Sequence, residues 1–268
     1  MTRESDVFPS IGGGLYAFFF DVDGTLAAIK PRPDEVSIPA AVRHNLQAIS
    51  TLSHGALALI SGRPIAQLDA LAAPLQVPLA GVHGAERRDA RGELHCLTLP
   101  AQVVAALDAM LNSSMANWPG TQLETKGMAF ALHYRQAMQY ESQVLQLAES
   151  MVERFPMLAL QPGKCVVELK PQGTDKSAAI RAFMQEAPFA GRIPVFIGDD
   201  LTDEAGFLVV NAMQGLSVKV GEGSSHARYR LKGVDEVYAW LEQMKLQLDQ
   251  DKTTSVRSKG YESLSGRI

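Results

Sequence analysis

The sequence predicts a two-part α/β protein, a Rossmann-like, doubly wound parallel sheet interrupted by an inserted α+β domain. Three observations carry this reading. Short, continuous apolar runs end abruptly at polar or glycine-rich turns, the pattern of strands buried on both faces of a parallel sheet. Helix-like stretches separate them. The middle of the chain, residues ~99–171, breaks the alternation with an α-β-β-α-β-β run, the pattern of a separate unit.

The apolar runs are Leu15–Phe20 into Asp21, Ala56–Ile60 into Ser61-Gly62, Val77–Val82 into His83-Gly84, Ile193–Ile197 into Gly198-Asp199-Asp200, and Leu216–Val220 into Gly221. Helices are predicted over Ala40–Leu52, Pro64–Leu71, Lys176–Glu186 and Asp203–Met213. In the insert, Val103, Val104, Leu107 and Leu111 recur at helical spacing within Ala101–Asn117, and Val144, Leu147, Met151, Val152 and Phe155 repeat it over Tyr140–Phe155. A hairpin follows each helix: Thr121–Thr125 against Met128–Arg135 turning at Lys126-Gly127, and Met157–Leu160 against Cys165–Lys170 turning near Pro162-Gly163. Side chains alternate along these strands, so Phe130, Leu132 and Tyr134 share a face opposite Ala129, Ala131, His133 and Arg135, while Glu168 and Lys170 lie opposite Val167 and Leu169. Two helices on the apolar face leave the polar face open to meet a ligand. The polar stretch Asp249–Ile268, without periodicity, is expected to be a frayed helix end and a flexible tail.

The chain has 268 residues, 46% hydrophobic and 20% charged, the mix of a globular protein with a substantial core. Its net charge of −4 makes it a poor electrostatic partner for nucleic acid or an anionic membrane. Cys96 and Cys165 fit neither a zinc site nor a disulfide framework and are expected to be free thiols. The first residues lack the basic start and apolar core of a secretion signal, so a cytoplasmic, monomeric protein is expected.

The chemistry concentrates at the ends of the runs. Asp21-Val22-Asp23-Gly24-Thr25 follows the first one directly, and two carboxylates two residues apart raise each other's pKa unless something pairs with them. A solvated turn or helix cap is the bland alternative. Further along stand Ser61 at the end of the second run, Lys176 opening a helix, and Gly198-Asp199-Asp200-Leu201-Thr202-Asp203 after a later run. Four such motifs, in this order and each at a strand end or helix start, resemble those of the haloacid-dehalogenase-like (HAD) phosphatases.

That resemblance implies an aspartyl-phosphate mechanism with Asp21 as nucleophile and Asp23 as general acid and base. It implies Mg²⁺ held by the Asp21 side chain, the Asp23 carbonyl and Asp199, with Asp200 and Asp203 orienting its waters, and Ser61 and Lys176 holding phosphoryl oxygens. An insert between the second and third motifs is, in this superfamily, a substrate-selecting cap, here of αββαββ (C2B) type. Residues 1–98 and 172–268 then form the catalytic core and 99–171 the cap, with hinges near Leu99-Pro100 and Pro171-Gln172-Gly173.

Four segments are closely similar to the trehalose-6-phosphate phosphatase family: Leu59–Arg63, Gly81–Glu86, Glu124–Gly127 leading to His133, and Gly163–Pro171. The similarity implies that Glu124, Lys126 and Glu168 hydrogen-bond the distal glucose, since carboxylates accept from vicinal hydroxyls and an ammonium donates to them. Arg63, His83, His133, Lys164 and Lys170 complete the expected substrate set. Position alone leaves Glu124 and Lys126 readable as hairpin surface charges, Glu168 as a solvated edge, and His133 as a packed residue of the open face. Lys30, Arg32, Arg87 and Arg88 are expected to be surface charges. The similarity implies trehalose 6-phosphate as the small-molecule substrate, hydrolysed to trehalose and phosphate; rival readings are another sugar phosphate such as sucrose phosphate, a phosphomutase, or a non-catalytic sugar-phosphate sensor.

Overall fold

The computed structural model describes residue 11 and residues 14–265, with side chains, residue 33 apart, as far as residue 251. The chain opens with β1 (Tyr16–Phe20), α1 (Ala40–Leu52), β2 (Leu57–Ile60), α2 (Ile65–Ala72) and β3 (Leu79–Gly81), then an antiparallel pair, β4 (Glu86–Arg88) and β5 (Leu94–Cys96). The insert follows as α3 (Ala101–Met115), β6 (Gln122–Thr125), β7 (Phe130–His133), α4 (Glu141–Arg154), β8 (Leu158–Gly163) and β9 (Val166–Pro171). The chain then returns with α5 (Lys176–Met184), β10 (Ile193–Gly198), α6 (Glu204–Ala212), β11 (Leu216–Val220), β12 (Tyr229–Leu231) and α7 (Val234–Ser265).

The large sheet has the order β12-β11-β10-β1-β2-β3-β4-β5. It is parallel from β12 to β3 and antiparallel at the β4–β5 edge. Both faces are covered, which is why its strands read as unbroken apolar runs. On one face Phe18, Phe20, Leu57, Leu59, Val195 and Ile197 pack with Leu46 and Ile49 of α1, Leu68 of α2 and Trp240 of α7. On the other, Phe19, Ile60 and Phe196 meet Ile180 and Phe183 of α5 and Phe207 of α6. Phe19 stacks on Phe189 with centroids 5.4 Å apart and tilts against Phe183 at 6.0 Å, an aromatic cluster that ties β1 to α5 and the loop after it.

The second sheet is wholly antiparallel, in the order β6-β7-β9-β8. Phe130, Leu132, Val167 and Leu169 fill one face with Leu107 and Leu111 of α3 and Val144 and Met151 of α4. The other face carries a row, Glu124 opposite Ala131 opposite Glu168 opposite Gln161, set by the register. This small-residue polar face is the one the alternation pattern anticipates.

Several features differ from expectation. The second insert hairpin turns at Lys164-Cys165, because Gly163 pairs with Val166 and β8 runs through Pro162-Gly163; Cys165, at φ 63°, takes the left-handed position of the turn. The β4–β5 hairpin and the three-residue β12 are too short to leave a periodic signature. The backbone of α7 is helical to Ser265, past Asp249, where the polar composition suggests fraying; the rest of the expected tail lies outside the described residues. Arg87 is no simple surface charge: its guanidinium lies over Phe183 at 4.9 Å and pairs with Glu186.

Phe19→Ala is expected to lower unfolding stability by about 3–5 kcal/mol through the lost apolar burial and the cavity left among the three rings, read as a shift of the denaturation midpoint of the core. A loss well under 1 kcal/mol would mean that this aromatic cluster does not hold β1 in place.

Candidate active site

All four motif segments meet at the carboxyl ends of the central strands, where ligands of open α/β sheets bind. Asp21 leaves β1 and is 4% exposed. The helix α5 begins at Lys176 because Asp175 caps it, its carboxylate accepting from the Ala178 amide at 2.8 Å. A cation at a helix N-terminus opposes the helix dipole, so Lys176 needs partners of its own. It has two: its ammonium donates to Asp21 Oδ1 and to Asp203 Oδ1, each at 2.6 Å. The other Asp203 oxygen accepts from the Asp199 and Asp200 amides, both at 3.0 Å, folding the turn after β10 back on itself.

Asp21, Asp199 and Asp203 thus place carboxylate oxygens within 4.8 Å of one another. One ammonium against three carboxylates leaves negative charge in excess. Burial first, then Asp203 and Asp199, push the Asp21 carboxyl well above its usual range against the pull of Lys176. Burial and Asp203 raise Asp199 to about 7. Against burial, Asp203 and Asp21 hold the Lys176 ammonium above its usual pKa. Such a cluster fits a divalent cation with oxygen ligands. The approach is tight: Gly24 sits at φ +79°, and a Cβ there would lie 2.0 Å from Asp199 Oδ2. Asp199 and Asp21 have oxygens to offer a cation, whereas both Asp203 oxygens are already engaged. Asp200 differs: its side chain is the exposed cap of the short turn Leu201–Asp203, bonded to the Leu201 amide at 2.7 Å.

Asp23, two residues past Asp21, faces outward. Arg63 forks it through Nε at 2.6 Å and Nη2 at 2.7 Å. Although burial pulls the guanidinium pKa down, the Asp23 bond raises it overall. Ser61 is buried at the end of β2, and its hydroxyl accepts from the Arg63 amide at 3.2 Å. Asp23 and Arg63 line one wall of a cleft of ≈ 660 Å³ whose other wall carries Gln122, Glu124 and His133 of the second sheet and Arg135 just past β7, a volume suited to a small organic ligand. Within that wall His133 Nε2 bonds Glu124 at 3.0 Å, which, more than the opposing effect of burial, holds the Glu124 carboxyl below its usual range.

The remaining expected residues form a second group. Lys126 donates to Glu168 Oε1 at 2.6 Å and to the Gly62 carbonyl at 3.2 Å. His83 Nε2 lies 3.0 Å from Glu168 Oε2. Against burial, the His83 bond and Lys126 bring the Glu168 carboxyl down to about 2. Lys170 donates to Gln161 at 2.9 Å, and its own pKa is lowered by burial. Lys164 stands apart, exposed in the hairpin turn at the His133 end of the sheet, its carbonyl accepting from Arg135. Lys219 is a residue the sequence reading missed: it is 7% exposed on β11 and its ammonium contacts the Asp199 carbonyl. A lysine inside the apolar run Leu216–Val220 was the available signal, because a cation within a doubly covered strand needs a partner.

Fold and site together define a phosphatase of the HAD-like class. Residues 19–235 match the trehalose-phosphatase family model, and the chain belongs to that family. It is 55% identical over 253 residues to the trehalose-6-phosphate phosphatase of Escherichia coli, covering 94% of this chain and 95% of that one. A probable trehalose-phosphate phosphatase of Sinorhizobium fredii is 42% identical, with 77% of this chain and 78% of the relative covered. The C-terminal domain of the Candida albicans trehalose-6-phosphate phosphatase has the same fold, with a TM-score of 0.77 at 21% identity over 87% of this chain and 92% of that one. No described helix is long and apolar enough to cross a membrane.

A carboxyl held near pH 2 in the folded chain, against an ordinary value of 4.5, stabilises the fold fully above pH 4.5 and loses that contribution as pH falls from 4.5 to about 2. Glu168→Gln removes it, on the order of 3 kcal/mol at neutral pH. The difference in thermal midpoint between wild type and Glu168→Gln should therefore shrink steadily below pH 4.5. A difference independent of pH would show that the paired charge at Glu168 does not contribute.

Proposed function

We propose that this chain hydrolyses trehalose 6-phosphate to trehalose and inorganic phosphate with Mg²⁺, as the last step of trehalose biosynthesis, acting as a cytoplasmic monomer. Residues 99–171 act as the cap and the flanking segments as the core. The observation that carries the reading is Lys176 bridging Asp21 and Asp203 beside a cleft whose far wall presents Glu124 and His133. The named activity of the E. coli relative supports the choice of substrate.

In this reading Asp21 attacks phosphorus as the bond to the sugar oxygen breaks, giving an aspartyl phosphate. Asp23 donates a proton to the departing oxygen, then takes one from the water that cleaves the aspartyl phosphate and restores Asp21. Arg63 forks Asp23 in the arrangement described, so the fork must open before Asp23 carries that proton. Lys176 and Ser61 hold phosphoryl oxygens as charge spreads over them. Asp21, Asp199 and the Asp23 carbonyl, with Asp203 behind them, would hold Mg²⁺, which when bound would neutralise phosphoryl charge; Asp200, turned outward to cap the Leu201–Asp203 turn, takes no part. Glu124, Lys126, His133, Glu168 and Lys170 present acceptors and donors to sugar hydroxyls, while Lys164, exposed in the hairpin turn, stands apart from them; a sugar lacking those hydroxyls leaves them unpaired.

Asp21→Asn should lower kcat for trehalose 6-phosphate by roughly 10³-fold or more, measured as phosphate release, because no other carboxylate occupies its place; near-normal turnover would refute the mechanism. Chelation of divalent metal should abolish turnover and added Mg²⁺ restore it. In kcat/KM, trehalose 6-phosphate should exceed glucose 6-phosphate by roughly 10²-fold or more, and equal values would refute the substrate.

A further inference from the structure

The Lys126–Glu168 ion pair belongs to the second sheet, yet it is seated on the core. Glu168 Oε2 reaches His83 at 3.0 Å, and Lys126 reaches the Gly62 carbonyl at 3.2 Å. All three side chains are nearly enclosed, at 9% exposure for His83 and Lys126 and 10% for Glu168. His83 pays for its position with a left-handed backbone, φ 54° and ψ 29°, between Val82 and Gly84, which also have positive φ. Its amide donates to the Ser61 carbonyl at 2.9 Å, and the Val82 amide donates to the Arg63 carbonyl at 3.0 Å. The turn Ser61-Gly62-Arg63 and the turn at His83 are thus stitched into one unit.

The imidazole lies against Gly62, where a Cβ would meet ring atoms Cε1 and Nε2 at 2.7 Å. Gly62 has no positive φ, so the close ring, and not the backbone, is what requires glycine there. His83 Nδ1 is buried with no hydrogen-bond partner among the described residues. A charged imidazolium would leave an N–H unsatisfied at that atom, whereas the neutral ring leaves only a weak acceptor there and still sets Nε2 against Glu168 Oε2 at 3.0 Å, an oxygen that has no hydrogen-bond partner of its own among the described residues. Burial lowers the His83 pKa in the same sense, against Glu168 and with Lys176 and Lys170 adding to it.

We propose that His83 is a positioning residue: its imidazole, packed on Gly62 with Nε2 3.0 Å from Glu168 Oε2, seats Glu168, and with it the whole sugar-recognition pair, on the turn that holds the phosphoryl group, so that cap closure and sugar recognition assemble that turn together. The inference rests on the trehalose 6-phosphate reading for its kinetic arm only. His83 acts through Glu168, so its contribution should exist only while Glu168 is present.

The test is a double-mutant cycle with a substrate-free companion. His83→Ala should raise KM for trehalose 6-phosphate about tenfold with a smaller fall in kcat, and His83→Gln, which keeps a donor, should recover most of the loss. In the Glu168→Gln background His83→Ala should change KM by less than twofold. Full additivity of the two substitutions would overturn the proposal, because a general folding defect or a direct sugar contact adds. The companion measures spin-label distances between Glu222→Cys on the core and Gln143→Cys on α4, both exposed, in a Cys96→Ser, Cys165→Ser chain without substrate. His83→Ala and Gly62→Ala should each broaden and lengthen that distance, and an unchanged distance in His83→Ala would overturn the proposal. Wild-type protein inactive on trehalose 6-phosphate would refute the substrate reading alone, leaving the distance arm to decide the role of His83.

Discussion

A single buried ammonium, Lys176, sits between Asp21 and Asp203, and much of the core is arranged to put it there. Carried at the start of α5, it meets one carboxylate just past β1 and another beyond β10, residues 155 and 27 positions away. Burying such charges costs several kcal/mol per ion unless each is paired and hydrogen-bonded. Asp203 meets that condition through Lys176 and two backbone amides, and the turn after β10 takes its shape from those bonds. The remaining negative charge, shared by Asp21 and Asp199, is what a divalent cation would answer. A chain with a net charge of −4 can therefore present a favourable local field to an anion once that cation is bound.

The second sheet repeats the principle one layer out. Its apolar face is closed by α3 and α4, so its polar face needs partners. Glu124 finds His133, Lys170 finds Gln161, and Glu168 finds both Lys126 and His83. The first two pairings lie within the sheet. The last reaches the core and joins that polar face to the backbone around Ser61. Outer and inner polar groups are separated by one turn of chain, Ser61-Gly62-Arg63, which touches both.

Much of this was legible in the sequence because it is local. The parallel strands announce themselves as apolar runs, since both faces are buried, and α1 appears with its expected bounds, Ala40–Leu52. The motif residues could be placed because each stands at a strand end or helix start. What the sequence concealed depends on distant segments. No spacing relates His83 to Glu168 or Arg63 to Asp23, and short β4, β5 and β12 have no periodicity to read. The turn at Lys164-Cys165 was masked by the stronger Pro162-Gly163 signal, although cross-strand pairing overrode it. Asp200 illustrates the limit of motif reasoning: adjacent to Asp199 in the same motif, it turns outward to cap the turn while Asp199 faces Asp21.

In the proposed mechanism Asp21, at the focus of these charges, is the carboxylate that accepts the phosphoryl group. An acyl phosphate is reduced by borohydride to the alcohol, which would convert the phosphorylated aspartate to homoserine. Protein quenched with borohydride during turnover of trehalose 6-phosphate and mapped by mass spectrometry tests the claim directly. Homoserine at residue 21, absent without substrate, is the predicted result; homoserine at another carboxylate, with residue 21 intact, would contradict it.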